Sequence, residues 1–191
     1  DGDSSNVQNP LHTYASAGTY TVTLIVEYLC FTDTIVESID VFDSPNLTPT
    51  VTDVTCFDWG DGSITTTVVD GTPNYNYLWS NGATTPDING IDGNTYWVVV
   101  TDQNGCTDSV SSVVQEPAAI IVNVQPAGPY SPADGTQNMI GSPAGGVWTA
   151  SCGACIDANT GVFDPLAAGD GTWQICYTVT VGACDSVDCI D

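Results

Sequence analysis

The chain contains short runs in which apolar and polar residues alternate, the pattern of β-strands with one buried face. TYTVTLIVEYL (19–29) predicts a half-buried strand, and DTIVESIDVF (33–42) predicts its hairpin partner. The apolar face of the first strand carries Tyr20, Val22, Leu24 and Val26. Because two strands alone are not stable in water, we expect further strands on the N-terminal side to complete this segment.

The middle of the chain repeats the pattern in five runs with turn residues between them. The runs are VTDVTC, SITTTVV, YNYLW, TYWVVVTD and SVSSVVQ, and Gly-Asp-Gly, Asp-Gly and Asn-Gly separate them. Short strands at this spacing are typical of a β-sandwich. SPNLTP (44–49), with its two prolines, predicts a stiff linker in front of this sandwich.

The last third begins with the predicted strand AAIIVNV (118–124) and ends in the valine-rich run YTVTV, followed by CDSVDCID from Cys184 onward. The whole pattern predicts an all-β fold of tandem sandwich domains at residues 1–43, 44–116 and 117–191, the N-terminal one incomplete. We expect either that the chain is a window of a longer polypeptide or that a neighbouring subunit donates the missing strands.

A short motif follows a valine-rich strand in each of the three segments. Cys30 precedes Phe-Thr-Asp-Thr-Ile, Cys106 precedes Thr-Asp-Ser-Val and Cys184 precedes Asp-Ser-Val. The three cysteines are 76 and 78 residues apart, close to the length of one small sandwich. We therefore expect each domain to end in the same hairpin.

The charge of the chain excludes several functions. The sequence has no Lys or Arg and 23 Asp plus Glu residues. Nucleic acid and anionic membranes are therefore excluded as partners, because no Lys or Arg is present to neutralise their phosphates. The common catalytic motifs are absent, and the single histidine, His12, fits a structural role beside Tyr14. We expect neither an enzyme nor a cofactor.

Eight cysteines in a chain of 191 residues indicate an oxidising compartment, with buried free thiols as the alternative. Cys56 opens the middle segment and Cys106 closes it, so we expect these two to pair. Cys30 has no evident partner.

The last segment contains five further candidates for disulfides. Cys176 and Cys189 would face each other across a two-residue turn, and Cys152 and Cys155 could form a local bridge. A link from Cys184 to Cys152 or Cys155 remains an open alternative.

Each segment also resembles a known repeat. NPLHTYASAGTYTVTLIV (9–26) is similar to the second half of a polycystic-kidney-disease (PKD) repeat, an immunoglobulin-like sandwich. CFDWGDGSI, GTPNYNYLWSNGATT and GNTYWVVVTDQNGC resemble the SprB-type repeat of surface adhesins of gliding Bacteroidota. GSPAGGVWTA and GVFDPLAAGDGTWQICYTV resemble a further immunoglobulin-like repeat. The resemblance implies tandem immunoglobulin-like domains of a cell-surface adhesin, secreted by the type IX route.

The three copies of Asp-Ser/Thr-aliphatic resemble the O-glycosylation signal of Bacteroidota. The acceptors would be Thr34, Ser109 and Ser186. The alternative is that Asp-Ser/Thr simply begins a strand well.

Two clusters of Asp, Asn and Gly offer the oxygen ligands that calcium binds. One contains Asp1 and Asp3, and the other contains Asp87 and Asp92. Neither has EF-hand spacing, and turns use the same residues. A turn is therefore the favoured interpretation, with diffuse calcium binding at the acidic surface preferred to a specific site.

These observations predict a structural and adhesive segment of a giant secreted repeat protein that forms an extracellular filament or adhesin shaft. Its expected partners are copies of itself or neighbouring domains of the same chain, and surface glycans remain open. The alternative is the carbohydrate-binding module region of a secreted polysaccharide-degrading enzyme. Tyr75, Tyr77 and Trp79 share a strand face, and would form a sugar-stacking platform if that face were exposed.

Overall fold

The computed structural model describes residues 2–125 and 128–191, and nearly all of its regular structure is β-strand in small antiparallel sheets. The predicted all-β fold class is therefore confirmed. By their contacts the described residues form two compact units, one from positions 2–52, 63–90 and 94–114, the other from positions 53–62, 91–93, 115–125 and 128–191. The division into three domains stays a prediction.

The N-terminal segment forms the expected hairpin. Strands β1 (Gly18–Tyr28) and β2 (Phe31–Val41) pair antiparallel in eleven positions across a two-residue turn. The prediction that this strand is half-buried was wrong, because only Tyr20 in β1 is partly buried and its other side chains are exposed. The hairpin forms a two-stranded sheet of its own, so alternation along its strands is not matched by a covering layer.

Two three-stranded sheets follow in the first unit, with burial alternating along their strands. Ile64, Val98 and Val100 are fully buried. The first sheet has the order β3 (Asn46–Thr52), β4 (Gly62–Val69), β6 (Asp87–Ile91), and the second has the order β5 (Asn76–Trp79), β7 (Thr95–Thr101), β8 (Thr107–Val113). Contacts between β3 and β8 join the sheets.

The predicted linker at residues 44–49 is mostly strand. Strand β3 begins at Asn46, and Leu47 is only 8% exposed. Pro49 lies inside the strand, which is tolerated because β3 is at the edge of its sheet, where a missing N–H leaves no central ladder broken.

Strand β6 was missed because its sequence, DINGI, has the composition of a turn. Gly90 adopts a φ of +66°, a left-handed conformation that interrupts the regular alternation. Ile88 and Ile91 are both buried although they are three residues apart. A period of two therefore cannot detect this strand.

The second unit contains shorter strands around one hydrophobic core. Its main sheet has the order β12 (Val147–Ala150), β14 (Ile175–Val181), β15 (Cys184–Ile190). The remaining elements are β9 (Asn123–Val124), β10 (Gln137–Asn138), β11 (Gly141–Ser142), β13 (Val162–Phe163) and the short helix α1 (Pro165–Ala168). Of the predicted strand at 118–124, only β9 forms. Trp148 and Tyr177 pack in the core with ring centroids 4.5 Å apart.

Candidate functional site

Two disulfides lie where the sequence placed them. Cys176 on β14 and Cys189 on β15 are direct cross-strand partners, with Cα atoms 4.1 Å apart, and they form one bridge. Cys152 and Cys155 form a second bridge within a local turn. Both bridges belong to the second unit, whose strands are short.

The third disulfide joins Cys56 to Cys184, so the expected bridge between Cys56 and Cys106 was wrong. The Cα atoms of Cys56 and Cys184 are 5.6 Å apart, and Cys56 is only 2% exposed. The bridge also excludes the alternative links of Cys184 to Cys152 or Cys155.

The position of strand β8 explains why Cys56 and Cys106 do not pair. Cys106 directly precedes this strand, whereas the backbone N–H of Val54, two residues before Cys56, donates to the carbonyl of Gln115, just beyond the end of the strand (2.9 Å). A strand of seven residues spans about 23 Å. Bridged cysteines have Cα atoms no more than about 7 Å apart. Within the described chain, Cys106 (half-buried) and Cys30 (exposed) carry no disulfide.

The three predicted glycosylation acceptors occupy equivalent elements. Thr34, Ser109 and Ser186 each lie in the second strand of a hairpin, namely β2, β8 and β15. Thr34 and Ser109 are exposed and Ser186 is half-buried. Asp33 accepts the N–H of Thr34 (2.9 Å), and Asp108 accepts the N–H of Ser109 (2.8 Å), so the local geometry of these two sites is the same.

The turn between β7 and β8 is organised by Asp102, which the sequence analysis overlooked. This carboxylate is 2% exposed. Its Oδ2 accepts the N–H of Thr72 (2.9 Å), and its Oδ1 accepts the N–H groups of Asn104 (2.9 Å) and Cys106 (2.8 Å). These hydrogen bonds, that of Thr72 above all, lower the pKa of Asp102 because they favour its charged form. The sequence DQNGC indicates such a turn, because its Asp stands two residues before Asn-Gly.

The exposed strand face that a sugar-stacking platform at Tyr75, Tyr77 and Trp79 would need is absent from the structure. Trp79 is 2% exposed, and its indole N–H donates to the carbonyl of Thr85 (2.8 Å). Tyr77 is half-buried, and burial, with a contribution from the charge of Asp87, raises its pKa. The hydroxyl of half-buried Tyr75 donates to the carbonyl of Asp70 (2.8 Å). The face that carries these three aromatic side chains is therefore turned toward the interior, with Trp79 buried.

The candidate calcium ligands have other contacts in the structure. Asp3 lies 3.7 Å from the Nδ1 atom of His12, and Asp87 accepts the N–H of Thr66 (3.2 Å). Asp92 packs beside Gly60, and Asp1 lies outside the described residues. No group of three or more His, Cys, Asp or Glu side chains is gathered around a metal position anywhere in residues 2–125 or 128–191. His12 packs edge-on against Tyr14, with ring centroids 4.5 Å apart.

The second unit has a cavity that the sequence analysis did not anticipate. Its volume is about 430 Å³, within the range of small-ligand sites. The indole N–H of Trp173 donates to the carbonyl of Gly169 (3.4 Å), which orients the ring at the cavity. The aromatic and apolar side chains of the lining include Tyr130, Met139, Phe163, Trp173 and Ile190.

Comparison with known proteins finds one family match, most of which lies in the first unit. Residues 48–84 match the family model of the SprB repeat. The SprB match covers β4, β5 and most of β3, and it includes the buried Trp79. No curated protein matches the chain. The PKD-like and second immunoglobulin-like resemblances stay predictions.

SprB repeats occur in cell-surface adhesin-like proteins. The three disulfides favour an oxidising, secreted environment. Among the described residues, no helix has the length and apolar character needed to span a membrane.

Proposed function

We propose that the chain is a structural and adhesive segment of a giant secreted repeat protein, in which its β-sheet units form part of an extracellular filament or adhesin shaft. The observation that carries the proposal is the SprB match over residues 48–84, because this repeat occurs in cell-surface adhesin-like proteins. The disulfides add support, since they stabilise small sheets outside the cell.

The charge of the chain suits a shaft made of many similar units. With a formal net charge of −23 and no Lys or Arg, neighbouring units repel each other and stay apart. Divalent cations would screen this repulsion and let copies approach. The partners are therefore further copies of the chain or neighbouring domains of the same polypeptide.

Surface location and attachment test this function directly. In the organism that makes the protein, an antibody against the chain should label intact, unpermeabilised cells or filaments attached to them. Deleting the coding region of these residues in frame should reduce attachment of the cells to a surface under flow. Labelling that requires lysis of the cells, or unchanged attachment after the deletion, would contradict the proposal.

The proposal includes type IX export, in gliding Bacteroidota, and O-glycosylation at Thr34, Ser109 and Ser186. Ser109 and Ser111 provide a matched pair, because both are exposed on β8 and only Ser109 follows an Asp. Mass spectrometry of chymotryptic peptides should find hexose on Ser109 and none on Ser111; trypsin is no use because the chain has no Lys or Arg. Unmodified acceptors in protein from the native organism would refute this part.

The cavity beside Trp173 favours glycan recognition as a second candidate function, as in a carbohydrate-binding module of a secreted polysaccharide-degrading enzyme. An indole ring in the lining of a cavity can stack on the apolar face of a sugar. A glycan array should then show binding that Trp173→Ala removes and Trp97→Ala, at an exposed Trp of the other unit, preserves. Absence of glycan binding by the unaltered chain would refute glycan recognition and leave the shaft as the proposed function.

A further inference from the structure

We propose that the Cys56–Cys184 disulfide diverts mechanical tension around the SprB repeat. This inference rests on the proposed function, since it matters only in a chain that is pulled from its ends. It follows from the covalent connectivity of the described residues, together with the hydrogen-bond register of β1, β2 and β3.

The bridge provides a covalent path past most of the chain. Tension that enters from the N-terminal side reaches Cys56, crosses the disulfide and leaves through β15, which begins at Cys184. The two cysteines are 128 residues apart in sequence, and their Cα atoms are 5.6 Å apart. Strands β4 to β14 lie between the two cysteines in sequence. They therefore belong to a closed covalent loop that carries no tension.

Residues 48–56 of the SprB match lie in the path, and strand β3 is the one strand among them; its geometry resists lengthening. It pairs with β4 over seven positions, from Asn46 with Val69 to Thr52 with Ser63. A strand already rises about 3.3 Å per residue, near the limit of about 3.6 Å for a stretched chain. Tension along β3 therefore gains almost no length by breaking its pairs with β4.

The N-terminal hairpin responds in the opposite way. Its first and last residues, Gly18 and Val41, are direct partners, so tension acts on both strands from the same open end. The eleven pairs then open one after another, which requires less force than breaking them together. Opening Gly18–Val41 gives about 80 Å of extension. The hairpin is thus the extensible element, and the SprB sandwich is protected.

Single-molecule stretching of the chain, purified with its disulfides formed and held by handles at both ends, measures the protected length. The comparison is with the double variant Cys56→Ser/Cys184→Ser. At about 3.6 Å per residue, the unaltered chain should reach a full extension of about 230 Å. The double variant should reach about 640 Å, because the Cys176–Cys189 and Cys152–Cys155 bridges still shorten it. Because the readout is the fully extended length, the variant need not be folded.

The double variant Cys152→Ser/Cys155→Ser is the matched control. Its bridge lies inside the loop that the Cys56–Cys184 disulfide closes, so this variant should extend as far as the unaltered chain. An unaltered chain that extends as far as Cys56→Ser/Cys184→Ser would overturn the proposal.

A shortfall of only about 180 Å relative to Cys56→Ser/Cys184→Ser would also overturn the proposal, because a bridge from Cys56 to Cys106 hides that length. Failure of surface labelling in cells, in contrast, would refute the proposed function and leave the stretching result standing.

Discussion

Replacing Trp79 by alanine should unfold, or nearly unfold, the two three-stranded sheets of the first unit. The side chain is 2% exposed, and its indole N–H donates to the carbonyl of Thr85. Burying an aromatic side chain removes about 200 Å² from water, worth about 5 kcal/mol at about 25 cal/mol per Å². Trp→Ala substitutions in protein cores cost about 3–5 kcal/mol. We expect a loss of about 4 kcal/mol, against a total of about 5–15 kcal/mol for a typical domain.

Hydrogen exchange in strand β4 is a suitable assay, because this strand belongs to the same unit and is unchanged in the variant. A loss of about 4 kcal/mol corresponds to a fall of about 1,000-fold in the protection of its amides. Trp97→Ala is the control, since Trp97 is 46% exposed on β7 and its removal leaves no cavity.

Equal protection of β4 in Trp79→Ala and Trp97→Ala would refute the assignment of Trp79 to the core. It would also reopen the sugar-stacking platform that the structure excludes. If the predicted loss is observed, any failure of Trp79→Ala to bind a glycan would report unfolding and not a missing contact.

Two further substitutions test hydrogen-bonded side chains. A lowered folded-state pKa contributes stability above the unfolded pKa of about 3.9 and loses it as the pH falls through the folded value. The urea midpoint of Asp102→Asn should therefore lie well below that of the unaltered chain at pH 7, and the difference should shrink as the pH falls below about 4. Tyr177→Phe removes the hydroxyl that donates to the carbonyl of Pro143 and accepts the N–H of Gly146. It should cost its unit about 1–3 kcal/mol, measured by hydrogen exchange in β14.

Both substitutions have controls in the same chain. Asp108→Asn changes a carboxylate that accepts the N–H of the next residue, Ser109, and Tyr28→Phe removes a hydroxyl from a residue that is 70% exposed. A midpoint difference for Asp102→Asn that stays constant with pH would contradict the role of its charge. Equal exchange rates in Tyr177→Phe and Tyr28→Phe would contradict the role of the buried hydroxyl.

Sequence periodicity predicted the strands whose alternation is uninterrupted. Strands β1, β2 and β7 lie within two residues of their expected bounds, because alternating valines and threonines leave few other conformations for an extended chain. Strands β3 and β6 were missed because Pro49 and Gly90 are usually found in turns. In both cases the tertiary structure determines that the segment is a strand. The edge position of β3 accommodates Pro49, and the left-handed conformation of Gly90 lets Ile91 be buried as Ile88 is.

The disulfide partners of the cysteines and the burial of the aromatic residues depend on contacts between distant parts of the chain. Local spacing predicted the Cys176–Cys189 bridge, because a two-residue turn fixes the register of β14 and β15. The partner of Cys56 depends on contacts between residues 128 positions apart, which no local pattern encodes. Trp79 posed the same difficulty, since alternation shows which residues share a face but not which face is covered.

The Cys56–Cys184 bridge imposes an order on oxidation during synthesis. Cys106 follows Cys56 by 50 residues, whereas Cys184 follows it by 128 residues. During synthesis the thiol of Cys106, which does not pair with Cys56 in the folded chain, is therefore available before that of Cys184. A loop of 50 residues also closes at a lower entropic cost than one of 128. The native bridge therefore requires either that β8 forms early and holds Cys106 away from Cys56, or that thiolate exchange later replaces a premature bridge. In the folded chain Cys106, which competes with Cys184 for Cys56, carries no disulfide.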